Sequence, residues 1–160
     1  MIAIGDTLPD IALSTPRDGM PVPIHTGEVF AGKRVLLVAV PGAFTPTCSA
    51  KHLPGYVERI DAFRERGITV AFVSVNDAFV MNAWGKSQHA PDDIVLLADG
   101  NAEFTRALGL EMDASAYGMG LRSKRYALYA EDGVVKALFV EAPGEFAVSG
   151  AEAVLAAVPA

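Results

Sequence analysis

"RVLLVAVPGAFTPTCSAKHLPGY", residues 34–56, changes character twice within one short stretch. Residues 34–40 are a continuous, valine-rich apolar run, too short for a helix and without polar alternation, which reads as a buried central strand. Pro41, Gly42 and Pro46 then break the chain into a loop. Beyond Cys48, apolar residues recur at helical spacing through Leu53, Tyr56, Val57, Ile60 and Phe63, and Gly67 supplies a C-terminal stop. Pro54 falls inside that helix and predicts a kink, because proline has no N–H for the Ala50 carbonyl. Strand, loop and helix in this order make the repeating unit of a parallel α/β sheet.

The rest of the chain continues that pattern. "ITVAFVSV" (68–75) and "IVLLAD" (94–99) read as two further buried strands. Between them "NDAFVMNAWGKSQH" reads as a helix with Asn76 or Asp77 as its cap. A short helix is expected over "NAEFTRALGL", ending near Gly109. "KRYALYAEDGVVKALFVE" alternates around Asp132-Gly133, a strong hairpin signal. "SGAEAVLAAV" closes as a helix, with Ser149 as candidate cap. The opening thirty residues are rich in proline and read as irregular or hairpin structure. No repeat, low-complexity tract or linker interrupts the order, so one domain over 1–160 is expected. Strands joined by helices pair in parallel, and the terminal hairpin adds antiparallel strands. The expected architecture is α/β: a mixed central sheet with helices on both faces and an N-terminal extension.

Composition narrows the function. The chain has 160 residues, half of them apolar, with 13 basic against 19 acidic residues for a net charge of −6. That balance argues against a nucleic-acid partner, whose binding surface would be basic. No apolar run is long enough to span a membrane. The opening "MIAIGDTLPDIAL" lacks a basic stretch before an apolar one and is not expected to be a secretory leader. One cysteine makes no internal disulfide and suits a reducing compartment, so a cytoplasmic location is expected.

That cysteine, Cys48, is the candidate reactive group. Lone cysteines are commonly inert small hydrophobes. Here, however, the residue follows a strand end and falls in the first turn of a helix, where unpaired N–H groups and the macrodipole favour a thiolate. Open parallel sheets place their ligand sites beyond the carboxyl ends of the strands, where Val40 delivers the chain. Dithiol exchange would need a second cysteine at 45 or 51, and these are Thr45 and Lys51. A cysteine hydrolase would use His52, four residues on, as base. Two side chains one turn apart make a poor nucleophile–base pair, and a polar residue packed beside the site is the simpler reading of His52. His25, His52 and His89 show no metal-type spacing, and no metal or cofactor is expected. The remaining chemistry is redox: a thiolate attacks one oxygen of a peroxide, the O–O bond breaks, and the sulfur becomes a sulfenic acid. Thr45 provides a hydroxyl in the same loop, and Pro41 could shield the sulfur from water.

"PGAFTPTCSAKHLPGYVE" resembles the active-site segment of the peroxiredoxins in their type-five (plant and bacterial type-two) branch. The likeness continues through "VAFVSVNDAFVMNAWGK", "LLADGNAEF" and "LRSKRYALYAEDGVVKALFVE", nearly the whole chain. The resemblance implies a thioredoxin-like fold. It also implies Cys48 as the peroxidatic cysteine, Thr45 as the residue orienting the peroxide, Pro41 as the shield, and Arg125 as the distant arginine. The backbone N–H groups of Thr47 and Cys48 would complete the pocket. Periodicity alone could not choose Arg125 over Arg122, whose plain reading is a solvated loop charge.

Some relatives carry a second, resolving cysteine near the last hairpin, where this chain reads "APGEFAVSGAE" with Ser149 at about that position, so a one-cysteine cycle is expected. Glutathione or a glutaredoxin would then recycle the enzyme, with thioredoxin as another reductant. The expected substrates are hydrogen peroxide and small alkyl hydroperoxides, and the branch suggests a homodimer. Phe79 and Trp84 stand between interface and core on sequence alone, and Met81 reads as core. Glu58, Asp61 and Glu65 with Arg59, Arg64 and Arg66 read as a solvated mixed-charge face. A non-enzymatic thioredoxin-like sensor or chaperone is the alternative function.

Overall fold

A computed structural model describes residues 1–159, with the side chain of Cys48 outside the described set. The opening segment forms a hairpin, β1 (Ala12–Arg17) and β2 (Met20–His25), and one short helix, α1 (Thr26–Phe30). Then come β3 (Arg34–Ala39), a π-helical turn over Cys48–His52, α2 (Leu53–Glu58), α3 (Ile60–Glu65) and β4 (Ile68–Ser74). The chain continues through α4 (Ala78–Ser87), β5 (Val95–Ala98), α5 (Glu103–Leu108) and a small ribbon, β6 (Glu111–Asp113) with β7 (Leu121–Ser123). It ends in the hairpin β8 (Tyr126–Glu131) and β9 (Val134–Val140), followed by α6 (Ala151–Ala157).

Seven strands form one sheet in the order β2-β1-β5-β4-β3-β8-β9. β3, β4 and β5 are parallel, and β8, β9, β1 and β2 pair antiparallel. The expected mixed sheet with helices on both faces is therefore what forms. The opening hairpin is part of it, joining the edge through Ser14 opposite Ala98. From β3 to β4 to β5 the chain steps the same way twice, so right-handed crossovers place both intervening helical segments on one face. Strand residues alternate accordingly. Leu36, Val38 and Val40 pack with Tyr56, Phe63, Met81, Trp84 and Val154 on that face. Val35, Leu37 and Ala39 pack with Phe30, Phe104 and Leu108 on the other. Trp84 and Met81 are core, whereas Phe79 is exposed. At the final hairpin Asp132 and Gly133 both take positive φ (49° and 77°), the requirement of a two-residue turn matched to strand twist.

One open alternative is resolved and two local readings are corrected. α4 is capped by Asp77, whose side chain accepts from Val80 N, and not by Asn76, which has another partner described below. Ser149 does not cap α6: that position is Gly150, with no side-chain cap bond. The expected kink at Pro54 becomes a π-helical turn ahead of it, which leaves Pro54 in the first turn of α2 where an N–H is not needed. A further break at Arg59 separates α2 from α3. The mixed-charge reading holds for Arg64, which pairs with Asp61 and Asp93, but Arg66 donates to the Leu155 and Val158 carbonyls.

Candidate active site

Val40 N donates to Val73 O at 3.1 Å, and beyond it the chain leaves the carboxyl edge of the parallel strands. The loop that follows is held tightly. Thr45 donates twice to the Gly42 carbonyl, from its backbone N at 3.3 Å and from Oγ1 at 2.7 Å. Asn76 Oδ1 accepts from Ala43 N at 3.0 Å and from Ser74 Oγ at 2.6 Å, which ties the loop to the end of β4. A Cβ at position 42 would stand 3.1 Å from Thr45 Cγ2 and 3.2 Å from Arg122 Nη1, so only glycine fits without displacing them. Phe44 is held at φ 64° with its ring exposed, a left-handed conformation rare for a bulky residue and a local store of strain. Ser49 N donates back to Thr45 O at 3.0 Å, and Ser49 Oγ accepts from Trp84 Nε1, also at 3.0 Å.

Cys48 opens the π-helical turn. Its side chain lies outside the described residues, so the expected thiolate environment is read from the surrounding frame. Arg125 immediately precedes β8. Ala39 pairs with Tyr126 in the β3–β8 ladder, so Arg125 falls beside the end of β3, next to the Pro41 loop. Its Nη1 donates to His52 Nδ1 at 2.7 Å, and its guanidinium lies over the Phe146 ring, 6.0 Å from the centroid. Arg122 is not a solvated charge: Nε donates to Met119 O at 3.0 Å and Nη1 to Val75 O at 3.2 Å. It thereby stitches the β6–β7 ribbon to the end of β4. The two arginines thus separate by partner, one structural and one turned to the His52 side of the loop.

His52 is fully buried, with Nε2 3.0 Å from the Ser149 carbonyl. A carbonyl can only accept, so Nε2 carries the proton and Nδ1 presents a lone pair to Arg125. Burial, with help from the Arg125 charge, lowers the His52 pKa from 6.5 to about 3. An imidazole so reluctant to take a proton, with both nitrogens engaged, is a poor general base, and the hydrolase reading loses its support.

Glu141, nearly buried, was not singled out from the sequence. It accepts from the backbone N–H groups of Ala147, Val148 and Ser149 at 2.8–2.9 Å and from Ser149 Oγ at 2.7 Å. Burial raises its pKa, but the bonds from Ser149, Ala147 and Val148 outweigh that, and the net shift is downward. The only hint in the sequence was one carboxylate ending the apolar run "ALFV".

Pro41, Thr45, Thr47 and Arg125 line one cavity of about 400 Å³ together with the apolar Met112, Tyr117 and Met119 and the charged Lys124, Glu141 and Glu145. Four of the five candidate residues thus share one cavity.

A sequence model described as Redoxin matches residues 3–155. Peroxiredoxin-2E-2, chloroplastic, of Oryza sativa subsp. japonica is 53% identical over 163 residues, covering 98% of this chain and 72% of that protein. The crystal structure of reduced Prx3 in complex with H2O2 from Vibrio vulnificus superposes with a TM-score of 0.93 at 56% identity, covering 98% and 99% of the two chains. That of the Plasmodium falciparum antioxidant protein (1-Cys peroxiredoxin) has a TM-score of 0.89 at 30% identity, covering 96% of each.

Proposed function

This chain belongs to the peroxiredoxin family, and on that premise we propose that Cys48 reduces peroxides in a one-cysteine cycle recycled by an external thiol. It is a thiol-dependent peroxidase with the thioredoxin-like fold and antioxidant function of that family. The Cys48 thiolate attacks the nearer peroxide oxygen, the O–O bond breaks, and the distal oxygen leaves as water or an alcohol after taking a proton. The sulfur becomes a sulfenic acid. Glutathione, alone or through a glutaredoxin, condenses with it to a mixed disulfide and water, and a second thiol displaces Cys48. Thioredoxin is the competing reductant.

The convergence of Pro41, Thr45, Thr47 and Arg125 on one cavity at the mouth of the Cys48 loop carries this reading. Thr45, its proton given to Gly42, presents lone pairs that can accept from a peroxide O–H. Arg125 stabilises the thiolate and the charge developing on the O–O bond. Pro41, which lines the cavity and has no N–H, would shield the site from water without adding a donor. The reductant assignment draws on the single cysteine, with serine at 149. Such a cycle depends on millimolar-class thiol pools and so suits the cytoplasm.

Hydrogen peroxide added to the reduced protein is expected to give a dimedone-trappable Cys48 far faster than free cysteine reacts. Turnover is expected with glutathione plus glutaredoxin. A rate like that of free cysteine would favour the sensor reading, and turnover with thioredoxin alone would reassign the reductant.

Homodimerisation is proposed through the face where Phe44 and Phe79 lie exposed on either side of the Ala43–Asn76 bond. Sedimentation of the wild type should show a dimer that Phe79→Glu shifts toward monomer; a wild-type monomer at working concentration would refute it.

A further inference from the structure

We propose that Glu141 is a positioning residue for peroxide reduction, acting on Arg125 through the Ser149 carbonyl and His52. The inference rests on the reading of Arg125 given above. It deepens that reading by saying what holds the guanidinium in place.

The relay has three links. First, Glu141 gathers the N–H groups of residues 147–149 and the Ser149 hydroxyl, with all four partners reaching Oε2 at 2.7–2.9 Å. Three consecutive N–H groups converging on one oxygen form a closed backbone nest that admits one loop conformation. Second, that conformation aims the Ser149 carbonyl inward, where it accepts from Tyr56 Oη at 2.7 Å and binds His52 Nε2 at 3.0 Å. The carbonyl thereby sets both ring plane and tautomer. Third, the tautomer leaves Nδ1 as an acceptor for Arg125 Nη1 at 2.7 Å. Glu141 N also donates to Arg125 O at 3.0 Å, so backbone and side chain of the arginine are both registered against this residue.

A neutral acceptor at the third link has a consequence that a carboxylate there would not. It orients the guanidinium without cancelling its charge, leaving the cation to act on sulfur and peroxide. The carboxylate lines the same cavity, but its Oε2 is engaged by residues 147–149. Two roles for Glu141 therefore predict opposite signs. As a counter-charge, its removal would strengthen the field of Arg125 and speed the reaction. As a positioning residue, its removal lets Arg125 drift and slows it.

The test is the second-order rate of Cys48 oxidation by hydrogen peroxide, with thiol titration and circular dichroism on the same samples. Glu141→Ala is expected to lower the rate on the order of 10- to 100-fold, the effect of a misplaced catalytic group, and to move the thiol titration upward. Glu141→Gln should fall between, since one amide oxygen can keep part of the nest; it carries the test if the alanine variant does not fold. In an Arg125→Ala background either change should cost no more than about twofold, because the residue through which it acts is gone. At the middle link His52→Gln, which can still donate to Ser149 and accept from Arg125, should recover much of what His52→Leu loses.

Unchanged or faster oxidation in folded Glu141→Gln would overturn the proposal. So would losses that multiply with Arg125→Ala, which is the signature of a merely structural role. If Arg125→Ala by itself left the rate at the wild-type value, the assignment of Arg125 would be what failed.

Discussion

Arg125→Ala is expected to slow oxidation of Cys48 by hydrogen peroxide roughly 10²–10³-fold, the cost of removing one preorganised donor from a site where charge develops. The position of Arg125 argues for an effect of that size. The Ala39–Tyr126 pairing in the β3–β8 ladder sets its backbone beside the end of β3. Its side chain is held by His52 Nδ1 and lies over Phe146, so its orientation is settled before any peroxide arrives. Truncation removes the cation and also strips a buried acceptor of its partner. Arg125→Lys restores the charge without the planar fork and should recover only part of the rate. Stopped-flow oxidation of the two variants, with circular dichroism to verify folding, measures this. Wild-type speed in folded Arg125→Ala would remove the arginine from the mechanism.

The second large effect is on stability as pH falls. The His52 pKa is about 3 in the folded protein against 6.5 for an ordinary histidine, so the folded state resists a proton that the unfolded state accepts readily. Stability linked to His52 is therefore complete above about pH 6.5 and drains away as pH falls toward 3. Between pH 6.5 and 4.5 the loss is on the order of 2–3 kcal/mol for a shift of this size. Glu141 works in the same direction but in a lower window. Its folded pKa lies below the ordinary 4.5, so its contribution is present above that value and lost as pH falls beneath it. The interval above pH 4.5 thus isolates the histidine. Urea unfolding midpoints of the wild type should decline across it, and His52→Gln, which has nothing to titrate there, should flatten the decline. An equally steep slope in the variant would show that another group carries the effect.

Much of the fold was legible because its elements are specified by near neighbours in the chain. The run at 34–40 was recognisable as a central strand because a strand buried on both faces has no polar alternation. Asp132-Gly133 was recognisable as a turn because few residue pairs tolerate positive φ twice in succession. The helix after Cys48 was legible in outline but not in detail. The π-helical turn at Cys48–His52 lies ahead of the apolar positions from Leu53 to Phe63 and so leaves no mark on their spacing. The β6–β7 ribbon was missed since three-residue strands are too short to establish a period. Ser149 was misread because a serine before a helical run is ordinarily its cap, and a long-range carboxylate outcompeted that local role.

The candidate site divides along the same line. Cys48, Thr45 and Pro41 lie within eight positions of one another on a single loop. Their mutual placement follows from a strand ending and a helix beginning, which the chain encodes locally.

By itself, then, the sequence determined the order of strands and helices, the final turn, and the placing of one thiol where the central strand opens into a helix. Only the tertiary structure decided which arginine faces that loop, which nitrogen of His52 is protonated, and what Ser149 and Glu141 are for. The reason lies in separation along the chain. The bond from Arg125 to His52 spans 73 residues and that from His52 to Ser149 spans 97, distances at which side-chain spacing carries no signal. Such partners meet only after the sheet has closed, when burial obliges every polar atom to find whichever complement the fold brings within reach.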